Sequence, residues 1–257
     1  SYCAPVQAEE RQFLIEQHLQ KVEFASLEEL SEKVDVSVST VRRDLTLLES
    51  KGTIRRTHGG ARLVTPKSDE FAFTARDTHQ LSEKDAIGQA AAELVQPNQG
   101  VIVDAGTTAY HVAKHLGGKA SHIITNSLPV ANHFGSDNSV EVLVTGGVIY
   151  PRLGVLVGPL AVESLSKMHA DVAIMSGGGI TMDGITNSHA LLIDIQRAML
   201  QSAQRIIFCL DHTKFNRRSV SPLCELDAID TIVTDSQAPA DLVGQLKQTN
   251  TQVVIAS

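Results

Sequence analysis

From residue 81 onward, short apolar runs alternate with amphipathic stretches, and this alternation limits the possible folds more than any other feature of the chain. The runs are Val101-Ile102-Val103, His122-Ile123-Ile124, Val140 to Val144, Val172 to Met175, Ile206 to Leu210, Ile229 to Val233 and Val253-Val254-Ile255. Helical stretches lie between most of them, at 84–95, 107–116, 127–135, 159–168, 188–203 and 239–248. Strands that are apolar on both faces need cover on both sides, which crossover helices supply. The pattern predicts a larger α/β domain with a mostly parallel sheet over residues 81–257.

The residues that follow these runs are small and polar. They are Asp104-Ala105-Gly106-Thr107-Thr108, Thr125-Asn126-Ser127, Thr145-Gly146-Gly147, Ser176-Gly177-Gly178-Gly179, Asp211-His212-Thr213-Lys214 and Thr234-Asp235. In open α/β sheets, ligands bind at the carboxyl ends of the strands. Gly and Thr at a strand-to-helix turn let backbone N–H groups meet a phosphate at a helix N-terminus, and Lys214 can supply a counter-charge. Each turn alone reads as a plain turn. Together on one edge they predict a site for a small anionic or polyhydroxylated ligand.

The N-terminal part reads differently. Net charge is −7 over 257 residues, which excludes a chain that is basic throughout. Residues 8–36 sum to −5, whereas 37–67 hold seven basic and two acidic residues, +5. Residues 8–20 carry Phe13, Leu14, Ile15 and Leu19 as one apolar stripe of a helix. Ser26 and Glu29 have capping-box spacing, so a second helix starts at Leu27. Asp35-Val36 is a turn. Ser37 caps a third helix from Val38 to about Ser50, which Gly52 stops. Its outward positions near the N-terminus are Ser39, Thr40, Arg42 and Arg43, where a recognition helix meets base edges. One of the two arginines can instead hold Asp44 or Glu49. Residues 53–57 and 61–64 around Gly59-Gly60 read as a hairpin carrying Arg55, Arg56 and Arg62, a basic wing. A small α+β winged helix-turn-helix domain over 1–64 is expected. A polar linker follows at 65–80, with Phe71 and Phe73 anchoring it to one domain or the other.

Ser37-Val38-Ser39-Thr40-Val41-Arg42-Arg43-Asp44-Leu45, then Leu48-Glu49, Gly52 and Arg56-Thr57-His58-Gly59-Gly60-Ala61, closely resembles the DNA-binding segment of DeoR-type bacterial transcriptional regulators. The resemblance extends along the chain. Asp104 to Thr108, Thr125 to Ser127, Gly146-Gly147, Gly158 to Ala161, Asp171, Gly178 to Ile180 with Gly184, and Asp211 to Phe215 resemble the effector domain of that family. That domain is similar to sugar-phosphate isomerases of the ribose-5-phosphate type. The resemblance implies DNA contacts at Ser37, Ser39, Thr40, Arg42, Arg43, Arg55, Arg56, His58 and Arg62. It implies a sugar phosphate as effector, met by Asp104, Gly106, Thr107, Thr108, Asn126, Gly178, Gly179 and Lys214. Ser127 and Gly146 sit at the same strand ends. Asp194 belongs to the same implied effector-binding set; many relatives have Glu there, and the shorter carboxylate reaches less far.

The implied function is a repressor of a carbohydrate-metabolism operon, released from double-stranded operator DNA by its effector and acting as a dimer or tetramer. The alternative is a sugar-phosphate isomerase with a fused DNA-binding module, since Asp104, Asp171, Asp183, Asp194 and Asp211 are chemically able to act as acids or bases. A regulator that binds without turnover is the expectation, with no cofactor and no metal. His111 and His115 have i, i+4 spacing but no third ligand nearby, and read as surface histidines. His58 is either a DNA contact or a turn residue, and His212 with Asp211 either acid/base groups or hydroxyl ligands. Cys209 reads as core, and Cys224 has no evident role. Three cysteines without a CxxC argue against a disulfide framework and for a reducing cytoplasm. No apolar run is long enough for a membrane span, and no secretory signal is evident.

Overall fold

The computed structural model describes residues 8–22, 24–50, 54–57, 59–63 and 72–256. The chain divides into two units, Ser1–Glu70 and Phe71–Ser257, a division inside the segment expected to be linker. Gly52, His58 and Phe71 lie outside the described residues.

The first unit holds α1 (Ala8–Val22), β1 (Phe24–Ser26), α2 (Leu27–Val34), α3 (Val38–Ser50), β2 (Ile54–Thr57) and β3 (Gly60–Leu63). The Ser26 hydroxyl accepts from the Glu29 N–H at 3.1 Å and starts α2. The Glu29 carboxylate, which a full capping box returns to Ser26, lies instead 2.7 Å from His18. Asp35 ends α2 in the left-handed region at φ 51, and the Ser37 carbonyl accepts the first N–H groups of α3. Ile15, Leu19, Leu30, Val34, Val41, Leu45, Leu48 and Ile54 form the core. Phe13, expected in the apolar stripe of α1, is 57% exposed, and Gln12 is buried beside it. The stripe runs through Ile15 and Leu19 because the adjacent turn of α1 faces the polar side chain of Asp44. The wing has three strands in the order β1-β3-β2, one more than the hairpin predicts. Gly60 is needed there, since a Cβ would lie 2.1 Å from the Ala25 carbonyl.

The second unit begins with α4 (Phe73–Asp77) and α5 (Leu81–Glu93). Then come β4 (Gln99–Val103), α6 (Thr107–His115), β5 (Ala120–Thr125), α7 (Leu128–Phe134) and β6 (Glu141–Val144). A hairpin of β7 (Val148–Tyr150) and β8 (Val155–Val157) leads to α8 (Pro159–Ser166), β9 (Ala170–Met175), β10 (Gly179–Thr181) and β11 (Gly184–Asn187). The chain closes with α9 (Ile193–Gln201), β12 (Ala203–Cys209), β13 (Ser221–Cys224), β14 (Thr231–Asp235), α10 (Ala240–Leu246) and β15 (Gln252–Ala256).

All seven apolar runs become strands of one parallel sheet, in the order β15-β14-β12-β9-β4-β5-β6. Alternate residues face opposite layers. Ile102, Ile124, Ala173, Met175 and Phe208 pack on α8, α9 and α10. Val101, Val103, Ile123, Val172, Ile174 and Cys209 pack on α5, α6 and α7. The fold is therefore a small winged α+β unit followed by a larger α/β unit. Two antiparallel additions were not expected, β7-β8 and β10-β11-β13. Their strands are three or four residues long and lie among glycines, too short to show a period. The helix expected over 188–203 starts as a 3-10 turn, with α9 proper from Ile193.

Strand order reverses between β4 and β9. From β4 the chain builds outward through β5 to β6, and from β9 outward through β12 and β14 to β15. At such a switch point the loops leave in opposite directions and open a crevice at the strands' carboxyl ends.

Candidate functional site

The outer face of α3 carries one candidate surface. The Ser37 hydroxyl lies 2.8 Å from the Ser39 hydroxyl and 3.0 Å from that of Thr40. Arg42 and Arg43 are exposed, while Val41, Asp44, Leu45 and Leu48 face inward. Neither arginine holds Asp44. That carboxylate is buried and takes Arg11 in a bidentate pair, Nε at 2.5 Å and Nη2 at 3.1 Å. Nor does either hold Glu49, which accepts from the Arg56 backbone N–H at 3.0 Å.

On the wing the three arginines differ. The Arg56 guanidinium donates to the Thr46 hydroxyl at 2.6 Å and lies 3.8 Å from Glu49, so it fastens β2 to α3. Arg55 and Arg62 are exposed and stand directly opposite each other on β2 and β3. Like charges opposed across strands are destabilising. A polyanion beside them removes that penalty.

The second candidate site is the switch-point crevice. The Asp104 carboxylate, 2% exposed, ends β4 and accepts from the Ser176 N–H at 3.0 Å after β9. Gly106 starts α6. A Cβ there would overlap the Ser176 hydroxyl at 2.1 Å, so only glycine permits the two loops to close. That hydroxyl accepts from the Ala109 N–H at 3.3 Å. Thr107 and Thr108 are buried in the first turn, where helix N–H groups lack intrahelical partners. Asn126, after β5, is buried. Its amide donates to the Leu156 carbonyl at 3.1 Å, and its Oδ1 has no partner among the described residues.

Four expected contacts have structural roles. The Ser127 hydroxyl caps α7, accepting from Val130 at 3.3 Å. At Gly178 a Cβ would crowd Ser188 and Ser219, and at Gly179 the Arg217 carbonyl. Gly146 packs toward Leu160 and Ser164 of α8. Asp194 is exposed on the first turn of α9. The buried face of that helix brings in Gln196, whose amide donates to Asp104 at 2.8 Å and to the Ser176 carbonyl at 3.1 Å. The Gln196 Oε1 accepts from Asn187 at 2.8 Å.

A cationic cluster completes the crevice. Lys214 Nζ lies 3.9 Å from Asp211 Oδ2. Burial, then the charges of Arg217 and Arg76, lower the Lys214 pKa against the pull of Asp211. Lys84 is buried and donates to the Arg76 carbonyl. Burial above all pushes its pKa down to about 8; Asp211 opposes this, and Lys214 and Arg76 add to it. Burial likewise raises the Asp104 pKa, against its bonds to Gln196 and Ser176. The crevice thus sets a buried carboxyl and amide, suited to hydroxyl groups, beside ammonium and guanidinium groups suited to an anion.

The strand-end pattern in the sequence does not point to Lys84, Arg76 or Gln196 as site residues, and it offers Ser176 only as part of a turn. Lys84 carried a signal, since Lys84, Ile87, Gly88 and Ala91 share one face of α5 and a lysine on a buried face needs a partner. Arg76 carried none. His111, expected at the surface, is 1% exposed and lies 3.2 Å from Asp77 because α4 covers it. His115 lies 2.9 Å from Asp85. His212 is held by Asp235 at 3.0 Å, and Asp211 accepts from the Thr213 N–H at 3.0 Å. Among the described residues, no helix is long and apolar enough to cross a membrane.

Residues 79–236 match the model of the DeoR C terminal sensor domain, and residues 11–67 that of the DeoR-like helix-turn-helix domain. The chain is 34% identical to the HTH-type transcriptional regulator GolR of Listeria innocua, covering 89% of this chain and 91% of that one. It is 34% identical to the HTH-type transcriptional repressor GlcR of Bacillus subtilis, covering 91% and 92%. It is 32% identical to the L-fucose operon activator of Haemophilus influenzae, covering 90% and 93%. Likeness to the solved ribose 5 phosphate isomerase A from Neisseria gonorrhoeae is slight, with TM-score 0.36, 14% identity, and 52% and 53% coverage, and carries no weight.

Proposed function

The chain belongs to the DeoR family and is a DNA-binding transcriptional regulator, and from that premise we propose that it represses a carbohydrate-metabolism operon and leaves its operator when a sugar phosphate binds the switch-point crevice. Two copies, or two pairs, set α3 in successive major grooves. Ser37, Ser39, Thr40, Arg42 and Arg43 read or clamp each half-site, and Arg55 and Arg62 hold phosphates. Regulation takes place in the cytoplasm, and the large unit binds its ligand without turning it over. A coupling of about 1–3 kcal/mol between the sites changes operator affinity about 5- to 150-fold.

The observation that carries the effector reading is the pairing of Asp104 and Gln196 with Lys84, Lys214 and Arg76 at one strand edge. It supports a ligand with hydroxyls at one end and an anion at the other. Thermal melting against paired sugar phosphates and free sugars tests it, read by calorimetry because the chain has no Trp. A ligand at 100 times its Kd adds about 2.7 kcal/mol. Stabilisation by a phosphorylated sugar and not by its free form is the expected result. A shift with free sugars alone removes the phosphate from the reading. Interconversion of aldose and ketose phosphates by the purified protein would overturn binding without turnover.

A further inference from the structure

Strand β6 closes one end of the large sheet and, among the described residues, pairs with β5 alone, through Glu141–Val144. Its outer backbone groups are open to another strand. Proteins commonly protect such an edge with charges or proline, and from Val142 to Tyr150 this chain has neither. The apolar surface continues beyond the strand. Val144 is exposed, and so are Val148 and Ile149, which lie on opposite faces of β7. Val148 is 70% exposed. Among the described residues β7 pairs with β8 and no other strand. Gly146, midway between Val144 and Val148, packs toward Leu160 of α8, which is 63% exposed. The opposite edge of the sheet differs: on β15, Ile255 is exposed while Val253 and Val254 are half-buried.

Val144, Val148, Ile149 and Leu160 together leave on the order of 400 Å² of apolar surface open, the size at which a patch on a soluble protein marks an interaction site. A stable pair buries about 800 Å² on each partner, so these side chains supply about half. The free backbone of β6 and the half-buried Val142, Leu143 and Tyr150 lie beside them to supply the rest. The partner that fits is an uncharged apolar strand with its own edge open, and β6 is such a strand. Set about a two-fold axis, β6 runs antiparallel to its copy, and one contact closes both edges. We propose that two copies of this chain pair through β6, with β7 and the start of α8 packed across the same axis, so that two seven-stranded sheets become one. This rests, for the identity of the partner, on the reading that two copies share one operator, and it adds the surface that joins them.

The test uses the full chain and three readouts: sedimentation velocity over a wide range of concentration, hydrogen exchange of residues 141–144, and the number of chains on DNA that the protein selects from a random-sequence library. The wild type should sediment as a pair, or as two pairs, of 27.6 kDa chains, with slow exchange at 141–144. Ile149→Lys and Leu160→Glu alter exposed side chains and should fold as the wild type does, checked by circular dichroism. Each should weaken pairing by about thirtyfold or more, the loss expected at a central interface side chain, and speed exchange at 141–144. Either variant suffices if the other folds poorly. Ile255→Lys, at the opposite edge, should leave both readouts unchanged. Wild-type pairing in the folded variants, or loss of pairing in Ile255→Lys, overturns this surface and leaves the two-copy reading standing. Lost pairing with exchange at 141–144 unchanged overturns the strand contact. A wild-type chain that stays single overturns the pairing, whatever else covers the edge. In that case one chain on the selected DNA overturns the two-copy reading as well, and two chains leave it standing.

Discussion

Gln196 Nε2 donates to Asp104 Oδ2 at 2.8 Å and so ties α9 to the loop after β4, across the point where the strand order reverses. The same amide reaches the Ser176 carbonyl, and its oxygen takes the Asn187 amide, so one side chain organises three loops. Gln196→Ala strips a donor from a buried carboxyl and leaves a second buried amide unpaired. The expected loss is about 2 kcal/mol, read by urea unfolding. In an Asp104→Asn background the loss should shrink, because the group left unsatisfied is no longer a carboxyl. Equal losses in both backgrounds would show that the pair is not coupled.

Asp104 gives a pH dependence with a definite sign. Burial raises its folded pKa above the ordinary carboxyl value, so the folded state keeps a proton that the unfolded chain has released. Stability therefore falls as pH rises from about 4 to the raised folded pKa, and the deficit is constant above it. Asp104→Asn removes this slope and should stabilise the ligand-free protein at neutral pH by about 1 kcal/mol. It should also abolish stabilisation by a sugar phosphate. Melting temperatures of both proteins across that pH range check each part, and parallel curves would place the acid dependence elsewhere.

The wing arginines should separate by salt dependence. Arg55 opposes Arg62 and has no acidic partner among the described residues, whereas Arg56 is held by Thr46 and Glu49. Arg55→Ala should lower the slope of log affinity against log salt by about one and leave folding intact. Arg56→Ala should loosen β2 from α3 and change the slope less. Equal slope changes would mean that Arg56 leaves its partners to contact DNA phosphate.

The Arg11–Asp44 pair sets the orientation of α3 from its buried side. Removing one partner of a buried pair leaves an uncompensated charge, and Arg11→Met should destabilise the N-terminal unit by about 3 kcal/mol. Arg42→Ala with Arg43→Ala, on the exposed side of the same helix, should leave melting unchanged and abolish operator binding. Calorimetry with operator-binding assays distinguishes the two faces. Loss of stability in the double variant would give Arg42 or Arg43 a structural role.

These contrasts show what a sequence can carry. The sheet was legible because each strand is apolar on both faces, so the seven runs from Val101 to Ile255 stand out whatever their order. Ser26 and Ser37 were legible because capping is local, decided within three residues. The short strands β7, β8, β10 and β11 were not, since strands of three or four residues are too short to show a period, even where a nearby hairpin pairs them. Asp104 was recognisable at a strand end. Its partner Gln196 lies 92 residues on, two places past the Asp194 that drew attention, and only the facing of α9 tells them apart. Arg76 sits in a polar stretch that looks like linker. His111 looks exposed until α4 is seen to cover it.

Lys84 provides a prediction that depends on the anion itself. Its folded pKa is pushed down to about 8, chiefly by burial, while in the unfolded chain it is near 10.5. The unfolded chain therefore binds the extra proton between those values, and this group makes stability rise with pH across that window. Below it the full penalty of a buried ammonium applies. An anion beside Lys84 favours the charged form and lifts its pKa, so binding a sugar phosphate near pH 8.5 should take up protons. Calorimetric titrations in two buffers of different ionisation enthalpy measure that uptake directly. Lys84→Met should remove it, raise the stability of the ligand-free protein at pH 7 by about 1 kcal/mol, and weaken the sugar phosphate far more than its free sugar. Binding with no proton uptake in the wild type would place the phosphate away from Lys84.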